Sequence, residues 1–263
     1  MTEREASQPA KRLVFVLAVA LSIFQVWQPV VGFIPPGILP LEDLLGLQPA
    51  TYFRPIHLTW ILVIGFLIYP LPGRWHYLDV GMTVAVIWAG SRVLVFDYQG
   101  LDHLLFGLAT ADLLAGIVIV AATLEMARRS VGTIMMLVGV TFVLYGAFGN
   151  HLPDVLATRG FSFERIVRFQ IFTSAGLYGA PIGIAAGAVF SFVLFGAFLQ
   201  ATGAGKFLID LAFAAAGRYR GGPAKASVIA SAAMGSISGS AIANTVTTGS
   251  LTIPMMKQLG YKP

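Results

Sequence analysis

The chain has no cysteine among its 263 residues. That excludes a disulfide framework and a thiolate metal site. Charge is nearly as scarce, with Asp, Glu, Lys and Arg making up 11 % of the residues, against about 25 % in a soluble domain whose surface must be wetted. A chain so poor in charge cannot cover a water-facing surface, so its solvent is lipid. The mean hydropathy of +0.80 agrees. A basic stripe interleaved with aromatics is also missing. The net charge of +5 comes from Lys and Arg placed almost entirely between apolar stretches, which argues against nucleic acid and for loop charge that orients a membrane protein. The four histidines, His57, His76, His103 and His151, are dispersed near expected span ends and offer no catalytic cluster.

What is present is a succession of apolar runs long enough to cross a bilayer, roughly 20 residues each. The first twelve residues form a short polar tail in which Glu3 and Glu5 mix with Arg4, Lys11 and Arg12. Ala18-Val19-Ala20 mimics a cleavage box but falls inside the first apolar run, which predicts an uncleaved signal-anchor. Spans are expected at 13–33, with Pro29 near its end, and at 56–71, 77–96, 109–126 and 131–149. Asp112, in the turn after Thr110, reads as a carboxylate complementing a helix N-terminus rather than as a site. Residues 161–172 read as an amphipathic helix along the interface. Gly176, Gly179, Pro181 and Gly183 predict a break before a further helix at 184–200. Gly179, Gly183 and Gly187 have the small-xxx-small spacing that lets helix backbones approach. With the N-terminus inside, five alternating spans put six basic residues inside and five outside, which decides nothing. If the sixth helix returns to the cytoplasm, Lys206, Arg218, Arg220 and Lys225 make it ten against five, as the positive-inside rule requires.

Residues 226–256 carry the chemistry. They contain no Lys, Arg, Asp or Glu, yet hold ten Ser or Thr, Asn244 and glycines at 235, 239 and 249. Non-helical backbone at membrane depth is tolerated only when buried in protein or lining a watery cavity. The pattern predicts a re-entrant hairpin over 224–254: a helix to Ser236, an unwound tip through Ser240, then a second arm. Carbonyls and hydroxyls at such a tip can replace the hydration of a small hard cation. The competing reading is a packing helix that uses Ser and Thr as interhelical glue. A nucleophile elbow is excluded, because Ile237 occupies the central position of Gly235-Ser236-Ile237-Ser238-Gly239. Gly203-Ala204-Gly205-Lys206 is not a phosphate loop, since Gln200 stands where its first glycine belongs. The chain does not read as an enzyme.

Several motifs carry a resemblance: Gly176-Leu177-Tyr178-Gly179, Gly203 to Phe207 with Asp210, Gly217-Arg218-Tyr219-Arg220-Gly221-Gly222-Pro223, the run from Gly235 to Asn244, and Thr248-Gly249 followed by Pro254-Met255-Met256-Lys257. Together they resemble the tripartite ATP-independent periplasmic (TRAP) transporters, in particular the fused permeases that join the small and large subunits. The resemblance covers about residues 170–263 in its motifs, and residues 1–150 in hydropathy and helix number only. It implies an all-α polytopic membrane protein of the bacterial inner membrane. Residues 13–150 would be a four- to five-helix scaffold resembling the small subunit plus a linking helix. Residues 151–263 would open an elevator-type transport domain. It further implies sodium-coupled uptake of a carboxylate substrate, delivered by a periplasmic binding protein of the TAXI type, with no cofactor beyond the coupling ion. Carried over by motif, Ser238, Gly239, Ser240 and Asn244 belong to the hairpin tip, with Ser238, Ser240 and Asn244 beside sodium, and Thr248 and Gly249 belong to the second arm. The family's second, inverted half has no counterpart here, which implies an N-terminal fragment needing the C-terminal half of the permease. The rival expectations are an elevator symporter without a binding protein and a membrane scaffold subunit that transports nothing.

Overall fold

The computed structural model of the chain describes residues 8–35, 49–153, 155–238 and 241–261. The described residues are helical throughout, without strands. They form two compact units, Met1–Ala186 and Gly187–Pro263.

The first unit is built on α1 (Gln8–Val31), α2 (Ala50–Ile68), α3 (His76–Val95), α4 (Thr110–Ser130), α5 (Thr133–Phe148), α6 (Phe163–Ile171) and the short α7 (Ala180–Ile184). The long helices start and stop where local chemistry dictates. Pro70 and Pro72 follow α2. Asp79 and Asp112 lie in the first turns of α3 and α4, and Arg92, Arg128 and Arg129 in their last turns, each opposing the helix dipole. Gly132, at φ +127°, makes the turn into α5 in a conformation that a β-carbon would disfavour. Ser162 caps α6, its hydroxyl accepting the Arg165 N–H.

The core of this unit follows helical spacing: Leu58, Leu62 and Phe66 on α2, Val86, Ala89 and Val93 on α3, and Ala115, Ile119 and Ala122 on α4. Val167 and Ile171 of α6 close it, with Val167 Cγ1 packed where a β-carbon on Gly116 would stand. Large apolar side chains also cover the outside, among them Val84, Ile117 and Phe142. In water that exterior would aggregate; in lipid it is the required surface. Including the run Ala180–Leu199, six helices are long and apolar enough to cross a membrane.

Charges inside this unit are paired across helices. Arg129 Nη1 lies 2.6 Å from Asp79 Oδ1, with both side chains less than a tenth exposed. The same nitrogen donates to the Tyr69 carbonyl at 2.9 Å, while Nε donates to Glu125 Oε1 at 2.7 Å. Asp79 Oδ2 accepts the Leu71 N–H at 2.7 Å, and Arg128 grips Glu125 bidentately. Arg129 thus ties the ends of α2, α3 and α4 together. Asp112 does sit in the first turn of α4, and it also pairs with Arg92 Nη2 at 2.6 Å.

Four expectations are corrected. Arg54, left outside the span expected at 56–71, lies in α2, which begins at Ala50; its Nη1 donates to the carbonyls of Tyr178 (2.8 Å) and Gly179 (3.3 Å), satisfying the backbone of the break before α7. His57 is likewise interior to α2 rather than at a span end, buried and hydrogen-bonded to Gln25 of α1. The break itself ends at Gly179, and α7 starts at Ala180 because Pro181 fits a first helical turn. Gly183 makes room for a side chain rather than a helix backbone: a β-carbon there would stand 3.0 Å from Arg54 Cζ.

The second unit contains α8 (Phe190–Ala201), α9 (Ala204–Ala216), α10 (Gly222–Ser238) and α11 (Ala241–Gln258). A π-helical turn, Ala185–Val189, joins α7 to α8. Gly203, at φ +85°, turns the chain into α9. Ile209, Ala212 and Ala230 are buried together between α9 and α10, and Met234 packs over Gly205.

Replacing Arg129 with Met is expected to destabilise the protein by about 3–5 kcal/mol, because Asp79 would stay buried without its cation. Asp112→Asn, whose partner Arg92 is 39 % exposed, is expected to cost well under half as much, solvent already screening that pair. Thermal unfolding in detergent checks both; equal losses would contradict the assignment of Arg129 as the tie.

Candidate functional site

The two arms of the expected hairpin are present as α10 and α11, of 17 and 18 residues. At 1.5 Å per residue each is about 25–27 Å long, short of the roughly 30 Å hydrocarbon thickness. α10 stays helical through Ser238, two residues beyond the expected end of the first arm at Ser236. Gly239 and Ser240 lie outside the described residues.

A polar contact joins the arms. Asn244, in the first turn of α11, donates from Nδ2 to the Ser231 carbonyl at 2.9 Å and to Ser231 Oγ at 3.1 Å. A carbonyl can only accept, so the amide orientation follows from its partners. The other end, Oδ1, is buried and meets no donor among the described residues. A β-carbon on Gly235 would stand 3.3 Å from Nδ2, so a side chain there would press on the amide. Below Asn244, Thr248 and Thr252 are buried; Thr248 Oγ1 donates to the Asn244 carbonyl at 2.7 Å and Thr252 Oγ1 to the Thr248 carbonyl at 2.8 Å. Their hydroxyls are therefore engaged along their own helix. Gly249 is half-buried and has ordinary room around its Cα, a β-carbon there meeting Ile253 Cδ1 at 3.4 Å.

Of the expected site residues, then, Asn244 is held against α10, Thr248 lies on the same stripe one turn on, and Gly249 adjoins it. Ser238 closes the first arm. Ser231, Gly235 and Thr252 were not singled out by sequence. The signal was available: 227, 231 and 235 on one arm and 244, 248 and 252 on the other are small or polar at four-residue spacing, the mark of a polar seam between two helices. Chemically, the seam presents a neutral oxygen, Oδ1, fixed in direction and desolvated. Oxygens of that kind suit a hard cation or a donor, and not a nucleophilic reaction.

A charge-poor, all-helical chain with six spanning helices and a polar hairpin is a multi-pass membrane protein. Residues 118–263 match the family described as "Tripartite ATP-independent periplasmic transporter, DctM component". The chain belongs to this family, which makes it a component of a membrane transporter and not an enzyme. The match begins within α4. Relatives include the "2,3-diketo-L-gulonate TRAP transporter large permease protein YiaN" of Escherichia coli, 39 % identical over 70 residues, which are 27 % of this chain and 16 % of that protein. The "Uncharacterized protein y4mL" of Sinorhizobium fredii is 40 % identical over 72 residues, 27 % of this chain and 17 % of that protein. The aligned part of the chain thus spans 16 to 17 % of the length of these relatives. No solved structure matches the chain.

The polar contact should contribute measurably to the hairpin. Asn244→Leu removes both hydrogen bonds and is expected to lower stability by about 1 kcal/mol, in keeping with interhelical bonds in membranes. Ser231→Ala keeps the carbonyl acceptor and is expected to cost about half of that. Unfolding in detergent micelles checks the order; a larger loss for Ser231→Ala would show that the hydroxyl, and not the carbonyl, anchors the amide.

Proposed function

We propose that this chain supplies part of an inner-membrane permease that takes up an organic anion, coupled to a cation, by an elevator motion of its hairpin-bearing unit. The substrate is a carboxylate delivered by a periplasmic binding protein of the TAXI type, and sodium is the coupling ion. Transport requires the remaining, inverted half of the permease. Membership of the DctM family supports the transport class. The observation that supports a coupling cation is Asn244 Oδ1, buried and without a donor among the described residues, on the seam between two short arms. Leaving a buried acceptor unmatched costs about 1–3 kcal/mol, and a sodium ion on that oxygen removes the cost; Ser238 and Ser240 are its further ligands in this proposal.

A second reading has its own support. The bonds from Asn244 Nδ2 to Ser231 are those of interhelical glue, and in a purely packing seam the whole amide would serve to hold the arms together. The two readings separate in the complete permease reconstituted in proteoliposomes. Asn244→Ala and Gly239→Val are expected to raise the sodium concentration needed for half-maximal uptake by roughly tenfold, the equivalent of one lost charged contact, with insertion unchanged. Wild-type sodium dependence combined with reduced yield of folded protein would favour glue.

Orientation follows from the distribution of Lys and Arg. We place the N-terminus and the 206–225 segment in the cytoplasm and residues 150–160 in the periplasm. Single cysteines have no background in this chain. Ala157→Cys is expected to react with an impermeant maleimide in intact cells and Tyr219→Cys only after permeabilisation; the opposite pattern would invert the topology.

A further inference from the structure

Away from the hairpin, an apolar groove of about 630 Å³ runs between α4, α5 and α6, within the roughly 300–1,000 Å³ of pockets that enclose small molecules. Val120 and Leu124 of α4, Phe142 and Val143 of α5, and Ile166 and Phe169 of α6 form its walls. Its lining is aliphatic, aromatic or glycine apart from Thr123, Gln170 and Arg165. Thr123 Oγ1 is already bound to the Ile119 carbonyl. Arg165 is different. Its guanidinium lies 5.0 Å over the Phe161 ring, it is exposed, and no carboxylate or carbonyl accepts from it among the described residues.

Glu164, the one carboxylate on α6, accepts the Leu108 N–H at 2.9 Å and forms no ion pair with Arg165 among the described residues. Arg168 is bound to the His103 carbonyl at 2.8 Å. Arg92 pairs with Asp112, and Arg128 and Arg129 pair with Glu125 and Asp79. Arg165 thus offers an open planar fork among the residues that line a largely apolar groove. The groove lies against α5, a helix long and apolar enough to span a membrane and with no buried residue among those described. A guanidinium fork matches phosphate oxygens bidentately, and Arg and Lys at the bilayer surface favour anionic headgroups.

We propose that this groove is a binding site for one anionic phospholipid, with an acyl chain between α4, α5 and α6 and the phosphate on Arg165. The pairing of charge and shape selects the occupant: a peptide segment would bring backbone polar groups into walls that offer them no partner, whereas a lipid brings a chain without any and an anion at one end. The lipid completes the charge balance of α6 and fills the space beside α5, so it acts as a structural ligand of the first unit, independent of the cation site.

The complete permease, purified in mild detergent and exposed to equal amounts of phosphatidylglycerol and phosphatidylcholine, tests this by native mass spectrometry. Wild-type protein is expected to retain phosphatidylglycerol in preference by roughly tenfold, one charge-assisted contact, and millimolar inorganic phosphate is expected not to displace it. Arg165→Gln should bring the two lipids to parity. Gly146→Leu should abolish retention of both: a β-carbon there meets Ile166 Cδ1 at an ordinary 3.6 Å, and a larger side chain fills the groove. Equal retention of the two lipids by the wild type would overturn the proposal, as would a preference that survives Arg165→Gln. Displacement by phosphate would show that a free anion suffices. A photocrosslinker at Val143 should capture lipid; capture of another part of the permease would assign the groove to protein instead, and this measurement does not depend on either variant folding.

Discussion

Arg129 is the constraint around which the first unit is arranged. A guanidinium that is almost wholly buried must be matched by oxygens from the protein. Its Nε and Nη1 find them on three elements: Asp79 of α3, the Tyr69 carbonyl just past the end of α2, and Glu125 one turn back on α4. Phe66 covers its face at 5.0 Å. That set of partners dictates where α2 ends, where α3 begins and how far α4 extends. Moving any of the three ends would strand a charge.

The remaining packing is compatible with that tie because the helices carry small residues where they meet. Gly90 admits Thr59, Gly65 admits Met126 and Gly116 admits Val167. Close approach is how helices associate in lipid, where the hydrophobic effect does not push them together. Further contacts hold the remaining segments of the unit: Arg92 with Asp112, Glu164 with the Leu108 N–H, and Arg54 with the carbonyls of Tyr178 and Gly179. The last two match an irregular piece of backbone with a side chain that can reach it. Breaks in helices survive here because their freed polar groups are satisfied from elsewhere in the protein.

The hairpin obeys the same rule with one exception. Its hydroxyls donate back to carbonyls along the helix, as Thr248 and Thr252 do, or accept from the other arm, as Ser231 does. Asn244 Oδ1 alone of the Asn244 polar atoms lies buried without a donor. Like Thr59 Oγ1, Trp60 Nε1 and Tyr178 Oη in the first unit, it is a buried polar atom without a partner among the described residues, and on the seam between the arms it is the atom that links their packing to the proposed ion.

The sequence by itself determined the solvent, the number of apolar runs, the amphipathic helix at 161–172 and the two arms of the hairpin. These are properties of local composition and period, which survive without knowledge of neighbours. It also brought Asn244 and Thr248 into view, because residue types so polar are costly in an otherwise uncharged segment. It misplaced Arg54 and His57, because a hydropathy window sees a basic or polar residue as the end of a span and cannot see its partner. The Arg54 partners lie 124 and 125 positions away, and that of His57 lies 32 away. Ser231 and Gly235 passed unnoticed for the same reason: a serine and a glycine in a helix acquire a role only when a second helix aligns with them. Only the tertiary structure decided which charges are paired, which amide faces which carbonyl and which oxygen is left over. Each of these is settled by distances between segments remote in sequence, and a buried polar group has no fixed energy until its partner is in place.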